Sequence, residues 1–340
     1  MKRALIAGIT GQDGSYLAEI LLDKGYEVHG IVRAASTDNT INIKHLIDDV
    51  HLHKGDLGDP LSIYRAIKCV NPSEIYNEAD QDHVSWSYDT AAYSYDITGG
   101  AVGRFLEMIK EINPEIKYFQ PVSSNMFGEV EDENLAQTEE TLHHPQSPYA
   151  CAKSFAFNLV KYYREVHGLF ASTGIFYNHE SPRRSQKYVS HKITKTIARI
   201  SEGLESELLL GDINMKIDWG YAQEYMDAAW KIMQLGNPDD FIICTGENHS
   251  IREFVEESFK QVGIDLDWVG VGMDESGYDK NSGKKYVGIN PSFFRPGKTS
   301  SLVGDISKAR EAFGFEPKVK FKEIAGMLIE QDLEEIRKYK

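Results

Sequence analysis

Tyr149 and Lys153 stand four residues apart behind Ser147-Pro148, a cap and a first-turn proline, so one helix face can present a phenol and an ammonium together. An ammonium stabilises phenolate. The expected effect is a tyrosine pKa lowered toward neutrality and a side chain able to take the proton of a substrate hydroxyl. Ser123 follows the apolar run 117–122, and a hydroxyl at the carboxyl end of a parallel strand faces the ligand crevice. There it can bond the reacting oxygen and pass its proton to Tyr149. Singly these are weak signals, since Tyr-x-x-x-Lys pairs occur on solvated helix faces and serine suits turns and caps. A third group makes them specific: Ala7-Gly8-Ile9-Thr10-Gly11-Gln12-Asp13-Gly14 sets three glycines at G-x-x-G-x-x-G spacing between an apolar run at 4–7 and helical periodicity over 15–22. Backbone N–H groups and a helix N-terminus can hold a pyrophosphate there. Gly8 serves the tight turn, Gly11 the close approach of phosphate and Gly14 the packing of helix on strand. Lys153 can in addition bind the ribose of a dinucleotide.

The elements that must position these groups alternate through the first half. Strands are expected near 3–7, 27–32, 50–53, 73–77 and 117–122, and helices near 14–24, 60–70, 93–112 and 147–166. This order predicts an α/β fold: a Rossmann-type doubly wound parallel sheet with a smaller C-terminal substrate-binding α/β lobe. Residues 1–175 are expected to form the NAD(P)-binding domain, with segments around 213–245 returning to it. Residues 176–340 are expected to form mainly the substrate-binding lobe, interleaved with the first. The stretch 270–300, rich in Gly, Lys, Tyr and Ser, reads as a long irregular segment carrying substrate contacts. At the end of the second strand an acid would bind the free 2′-hydroxyl of NAD. This chain has Arg33 and Ser36, suited to the 2′-phosphate of NADP, so NADP is expected, with NAD as the alternative. Read blandly, Arg33 is a solvated loop cation.

A net charge of −15 over 340 residues argues against general affinity for nucleic acid or an anionic membrane. Cys69, Cys151 and Cys244 are far apart and form no C-x-x-C pair, which predicts a reducing cytoplasm, no disulfide framework and no metal site. No charged leader precedes the first strand and no apolar stretch reaches membrane-span length, so a soluble cytoplasmic protein is expected.

The cradle, the serine loop and the Tyr-Lys helix together resemble the extended short-chain dehydrogenase/reductase superfamily. More narrowly, Ile9-Thr10-Gly11-Gln12-Asp13-Gly14-Ser15-Tyr16-Leu17-Ala18-Glu19, Tyr177-Asn178-His179-Glu180-Ser181-Pro182-Arg183-Arg184, Asp218-Trp219-Gly220 and Phe293-Phe294-Arg295-Pro296 resemble the GDP-mannose 4,6-dehydratase family, with similarity over essentially the whole chain. The resemblance implies a bound NADP that takes hydride from C4 of a GDP-hexose, loss of water across C5 and C6, and return of the hydride at C6. It gives Ser123 the family's Thr/Ser role, Tyr149 the base role and Lys153 its partner. It also assigns Gly8, Thr10, Gly11, Gln12, Asp13, Gly14, Arg33, Ser36, Asp56 and Leu57, with Tyr149 and Lys153, to the cofactor. Ser87, Asn178, Arg183, Lys192, Lys216 and Arg295 fall to the substrate, and a homodimer or homotetramer is implied.

Four departures qualify the resemblance. The dehydratases carry a glutamate three residues before the loop glycine, which removes the C5 proton and protonates the departing C6 hydroxyl; here it is Asn125. An amide accepts no proton at neutral pH, and such help is worth about 10²–10⁴ in rate, so elimination is expected to be slow while C4 oxidation is untouched. Glu78, Asp80 and Asp82 replace small or apolar residues and a serine. Met215-Lys216-Ile217-Asp218 lacks the usual arginine pair, and Ala34 stands where a second arginine commonly supports the NADP phosphate. Three readings remain: an enzyme that oxidises C4 without efficient elimination, an authentic 4,6-dehydratase using Asp82, Asp80 or His83, and a catalytically silent cofactor-binding protein. Intact Ser123, Tyr149 and Lys153 argue against the last.

Overall fold

Short apolar runs separated by amphipathic stretches fold as alternating strands and helices in the computed structural model, which describes residues 1–35, 38–128, 135–293 and 301–338. The first half runs β1 (Arg3–Ala7), α1 (Gln12–Asp23), β2 (Glu27–Val32), β3 (Val50–Lys54), α2 (Pro60–Val70), β4 (Glu74–Asn77), α3 (Val84–Asp89), α4 (Ala91–Ser94), α5 (Ala101–Ile112), β5 (Lys117–Ser123), α6 (Pro148–His167) and β6 (Ala171–Phe176). Beyond these come β7 (His179–Glu180), α7 (Val189–Ser201), β8 (Leu208–Leu210), β9 (Lys216–Asp218), β10 (Gly220–Tyr221), α8 (Ala222–Met233), β11 (Asp240–Ile243), β12 (Asn248–Ser250), α9 (Ile251–Lys260), β13 (Leu266–Val269), β14 (Ser276–Asp279), β15 (Lys285–Ile289), α10 (Ser307–Phe313) and α11 (Phe321–Lys338).

Seven strands form one parallel sheet in the order β3-β2-β1-β4-β5-β6-β11. The strand order reverses between β1 and β4, which opens a crevice beyond their carboxyl ends, the place where open α/β sheets bind ligands. Leu5, Ile6, Ile75, Tyr118, Phe119 and Ile175 are wholly buried in this sheet, as expected for strands covered by helices on both faces. Late segments return to it, because α8, β11 and Ala309 of α10 pack into the same core. A second core joins α7, α9 and α11 to a four-stranded sheet in the order β13-β14-β15-β8, around Ile193, Phe254, Phe259, Val287 and Leu328. Among the described residues no helix is long and apolar enough to cross a membrane.

One expectation about elements is refined and another needs correction. The helix expected over 93–112 runs without a break from Ala91 to Ile112, as α4, a π-helical turn at Tyr95–Gly100 and α5. Gly99 sits where an added Cβ would meet Phe155 Cδ1 at 2.8 Å and Ala152 O at 3.3 Å, so close approach of α6 is what the glycine permits. The stretch 270–300 is not irregular throughout, since β14 and β15 pair within it. Its turn is held by Asp279, whose carboxylate accepts from the Asn281 and Ser282 amides at 3.2 and 3.1 Å.

Candidate active site

At the crevice the glycine cradle has the shape its spacing implies. Gly8 adopts φ +82°, and a Cβ on it would lie 2.8 Å from the Glu78 backbone, so the turn and the end of β4 press together. On Gly14 a Cβ would lie 2.3 Å from Gly8 O, which fixes α1 against the turn. Gly11, the cap of α1, meets nothing nearer than Gly8 O at 3.3 Å, and no side chain caps the helix. The first turn thus has no side-chain cap among the described residues, and its N–H groups suit an anionic pyrophosphate.

The other residues assigned to the cofactor divide. Thr10 O accepts from Asn42 Nδ2 at 3.2 Å. Gln12 reaches the opposite wall, donating to His179 O at 3.3 Å and accepting from Ser181 Oγ at 2.8 Å. Asp13 meets His179 Nε2 at 3.0 Å. Asp56 accepts from Gly58 N at 2.8 Å in a local, exposed turn, and Leu57 is buried with its carbonyl accepting from Arg104 at 2.9 Å. Arg33 is exposed and donates to Tyr93 OH at 3.4 Å. Ser36 lies outside the described residues.

Ser123 ends β5, Asn125 follows it in a single 3₁₀ turn, and Tyr149 and Lys153 project from the first turns of α6. That helix starts at Ser147, whose hydroxyl accepts from Ala150 N at 3.1 Å, with Pro148 at its first position. Ser123 Oγ accepts from both the backbone N and the side-chain Nδ2 of Asn125, at 3.2 and 3.0 Å. Its own proton is thus left to point at Tyr149 or a ligand. Lys153 Nζ donates to Pro121 O at 2.9 Å and pairs with Asp80 Oδ2 at 2.6 Å.

The expectation of a lowered Tyr149 pKa is not met: burial pushes the phenol up to about 12, and Lys153 opposes this only in part because Asp80 and Asp82 face the same phenol. Glu78 is also held well above the carboxylate range, by burial first and then by Asp13. Both its carboxyl oxygens are buried without a hydrogen-bond partner among the described residues. Burial disfavours charge on His179, yet Asp13 outweighs it and raises the imidazole above its ordinary value.

These groups line a cavity of about 130 Å³ bounded by Asp13, Glu78, Asp80, Asp82, Ser123, Asn125, Tyr149, Lys153, Asn178, Arg184 and Tyr188. It shares Asn125, Asn178 and Tyr188 with a larger one of about 650 Å³, which Lys192, Lys216, Asp218 and Phe293 also line. The two together have room for a sugar and an attached nucleotide. Lys192 Nζ lies 3.9 Å from the Phe293 ring centroid and donates to Leu209 O at 2.9 Å. Asp218 is buried, accepts from Thr245 N at 3.0 Å and Gly246 N at 2.8 Å, and is pushed by burial up to about 6.

Not every residue assigned to substrate comes to these walls. Arg183 lines neither cavity: it donates to Ser15 Oγ at 3.0 Å, pairs with Glu19 and stacks over Tyr16. The turn that returns Arg184 N to Ser181 O sends the next side chain the other way, and Arg184 enters the small cavity, paired with Glu180 at 3.3 Å. Ser87 is buried away from both, donating to Val84 O at 2.6 Å, and Arg295 lies outside the described residues. Sequence reasoning passed over Arg184, Tyr188 and His179. The first sat beside a chosen arginine, whereas Tyr188 carried no local signal at all.

Comparison with known proteins agrees with this fold. The family profile described as GDP-mannose 4,6 dehydratase matches residues 5–328. The GDP-mannose 4,6 dehydratase of Drosophila melanogaster is 43% identical over 347 residues, covering 99% of this chain and 87% of that protein. The Vibrio cholerae enzyme of the same name is 41% identical over 351 residues, covering 98% and 94%. Among solved structures, dTDP-glucose 4,6-dehydratase of Bacillus anthracis in complex with NAD superposes with a TM-score of 0.81 at 19% identity, covering 100% of this chain and 98% of that one. UDP-glucose 4-epimerase of Thermus thermophilus in complex with NAD gives 0.80 at 22%, covering 97% and 98%. At such identities these two speak for the fold. The profile and the full-length relatives go further: the chain belongs to the GDP-mannose 4,6-dehydratase family.

Proposed function

We propose that the chain is an NAD(P)-dependent enzyme that oxidises C4 of a GDP-hexose-like nucleotide sugar and leaves the C6 oxygen in place. The observation that carries this reading is the hydrogen bond from Asn125 Nδ2 to Ser123 Oγ at 3.0 Å. An amide that donates to the serine orients that hydroxyl, and it has no basic site with which to take a proton from C5. Bound nicotinamide supplies the hydride acceptor; the chain's own groups handle the proton. Ser123 holds the C4 oxygen, Tyr149 takes its proton and Lys153 anchors the neighbouring ribose. Asn178, Lys192 and Lys216 line the space for sugar and nucleotide.

Arg33 at the end of β2, with Ser36 after it and no acid beside them, favours NADP over NAD. The GDP-linked substrate follows from the family. Three free cysteines suit the cytoplasm, and the exposed aromatic side chains of α4 and α6 suit a homodimer or homotetramer.

Mass spectrometry of the product from GDP-mannose, with solvent deuterium exchange at C5, tests the reading. A product that keeps its full oxygen count supports it, and efficient loss of water defeats it. One observation favours the authentic dehydratase as second reading: Asp82 lines the cavity that holds Ser123 and Tyr149. Asp80 is less suited to that role because Lys153 engages it. His83 lines only the larger cavity.

A further inference from the structure

Lys153 is engaged before it acts on Tyr149. Its Nζ donates to Pro121 O at 2.9 Å and meets Asp80 Oδ2 at 2.6 Å, with the two side chains only 6% and 11% exposed. Asp80 comes from the segment after β4 and Lys153 from α6, so the pair joins two elements that line the small cavity. A lone buried ammonium draws a nearby phenol toward phenolate, but an ammonium closely paired with a carboxylate presents little net field to a third group.

We propose that Asp80 is a positioning residue acting through Lys153: it pins the ammonium against β5 and opposes the field that Lys153 exerts on Tyr149, so that Lys153 helps the proton-transfer group less than an unpaired ammonium would. The inference rests on Tyr149 being the proton-transfer group proposed above.

The surroundings of Tyr149 agree. Asp80 and Asp82 face it from the segment after β4, Ser123 from β5, Lys153 from its own helix and Tyr188 from the loop after β7. Glu78 and Asp13 lie further round the same wall, where Glu78 faces Lys153 as well. Arg184 is paired with Glu180 and stacked 3.7 Å over the Tyr188 ring, and His179, which also lines the cavity, is paired with Asp13 at 3.0 Å. Among the described residues Lys153 is therefore the cation that acts on Tyr149, and two carboxylates oppose it. Burial is the largest cause of the phenol's high proton affinity, Lys153 opposes it, and Asp80 and Asp82 add to it. Burial disfavours the charge on Lys153, yet Asp80, with Tyr149 and Asp82, outweighs it and holds the ammonium above its ordinary value. The residue type matters as much as the position, since a small side chain at 80 would leave Lys153 unpaired.

The test compares the parent holoenzyme with Asp80→Asn and Tyr149→Phe. Two readouts are taken against pH: single-turnover reduction of bound cofactor with GDP-mannose, and the ultraviolet difference absorbance of phenolate. The absorbance step missing from Tyr149→Phe identifies the titration of Tyr149. In Asp80→Asn both this step and the alkaline limb of hydride transfer are expected to move down by about one to three pH units, the range over which a neighbouring charge acts. A step that stays in place or moves up overturns the inference. A merely structural role for Asp80 would change melting temperature and rate but leave both ionisations at their parental pH. Should Asp80→Asn fail to fold, Asp80→Ala removes the same charge with a smaller side chain and is read identically. If Tyr149→Phe still transfers hydride, the proposed base is wrong, while the absorbance readout continues to decide whether Asp80 governs the phenol.

Discussion

His179 Nε2 meets Asp13 Oδ2 at 3.0 Å, joining the first turn of the cradle helix to the short strand beyond β6. Asp13 also accepts from Gln12 Nε2 at 3.0 Å, and the His179 ring stacks on Tyr225 with centroids 4.6 Å apart, so the joint is built from both sides. The pair makes stability depend on pH in a defined direction. His179 has its folded pKa raised above 6.5, so its contribution is complete below 6.5 and is lost as pH rises through the raised value. Asp13 is held below 3.8 because His179 outweighs the cost of burial, so its contribution is present above 3.8 and is lost as pH falls through the lowered value. His179→Ala is expected to lower unfolding stability most between those limits, by about 1–3 kcal/mol. That is less than a fully buried pair would lose, since the Asp13 side chain keeps 24% exposure. Urea unfolding of parent and variant at pH 5.5 and 9 checks this: a difference independent of pH would mean that packing, not charge, holds the joint.

Tyr149→Phe removes the phenol without disturbing Ser123, Lys153 or the cradle. It is expected to abolish reduction of bound cofactor on addition of sugar nucleotide while the dinucleotide stays bound, because the glycine turn and the first turn of α1 are untouched. Stopped-flow absorbance of the cofactor reads the first effect and analysis of the purified protein the second. Reduction near the parental rate would remove Tyr149 from the role of base.

Cofactor identity turns on the end of β2. Denaturing the purified protein is expected to release NADP in preference to NAD, and Arg33→Ala is expected to narrow the preference, since a guanidinium matches a phosphate bidentately. Recovery of NAD alone would defeat this expectation.

The backbone-dictated parts of the site were the most legible in the sequence. Gly8, Gly11 and Gly14 specify a turn geometry locally, and Ser147-Pro148 marks the start of α6, so the cradle and the Tyr-Lys helix were placed from short stretches. Long-range pairing was not legible. Asp80 stood out as a departure, but its partner lies 73 positions away on another element, and nothing local says that Lys153 will be bound by it. The same limit explains Arg183 and Arg184: the turn after Pro182 decides which of two adjacent guanidinium groups faces the cavity, and the pair of arginines reads alike from either side. Tyr149 was expected to be acidified because Lys153 was visible on its own helix, whereas the pairing of Asp80 with that lysine was not.

Association is expected through α4 and α6. Tyr93 on α4, Tyr95 in the π-helical turn, and Phe155, Tyr162 and Val166 on α6 are exposed on the flank of the parallel sheet. Neighbouring apolar side chains left open on adjacent helices favour a two-fold contact. Light scattering at micromolar concentration is expected to report at least a dimer, and a monomer there would contradict it. Phe155→Glu should shift the equilibrium toward monomer.

In the function proposed above, the reaction outcome depends on position 125. A 4-keto sugar loses its C6 hydroxyl only if a group removes the C5 proton and another proton reaches the leaving oxygen; Asn125 does neither, and in this chain it is occupied in orienting Ser123. Asn125→Glu places a carboxylate beside Ser123 in the same cavity, where the hydroxyl can donate to it. Dehydratase activity is expected to appear or to rise by about 10², the lower end of the usual general acid–base contribution, because Ser123, Tyr149 and Lys153 are already in place. Mass spectrometry reads the result directly, as dehydration removes one water from the product. Efficient water loss by the unaltered protein would shift the acid–base role to Asp82, Asp80 or His83, and replacing each in turn would then show which one carries it. Asp82→Asn is the first to make, because Asp82 lines the catalytic cavity without the ion pair that engages Asp80.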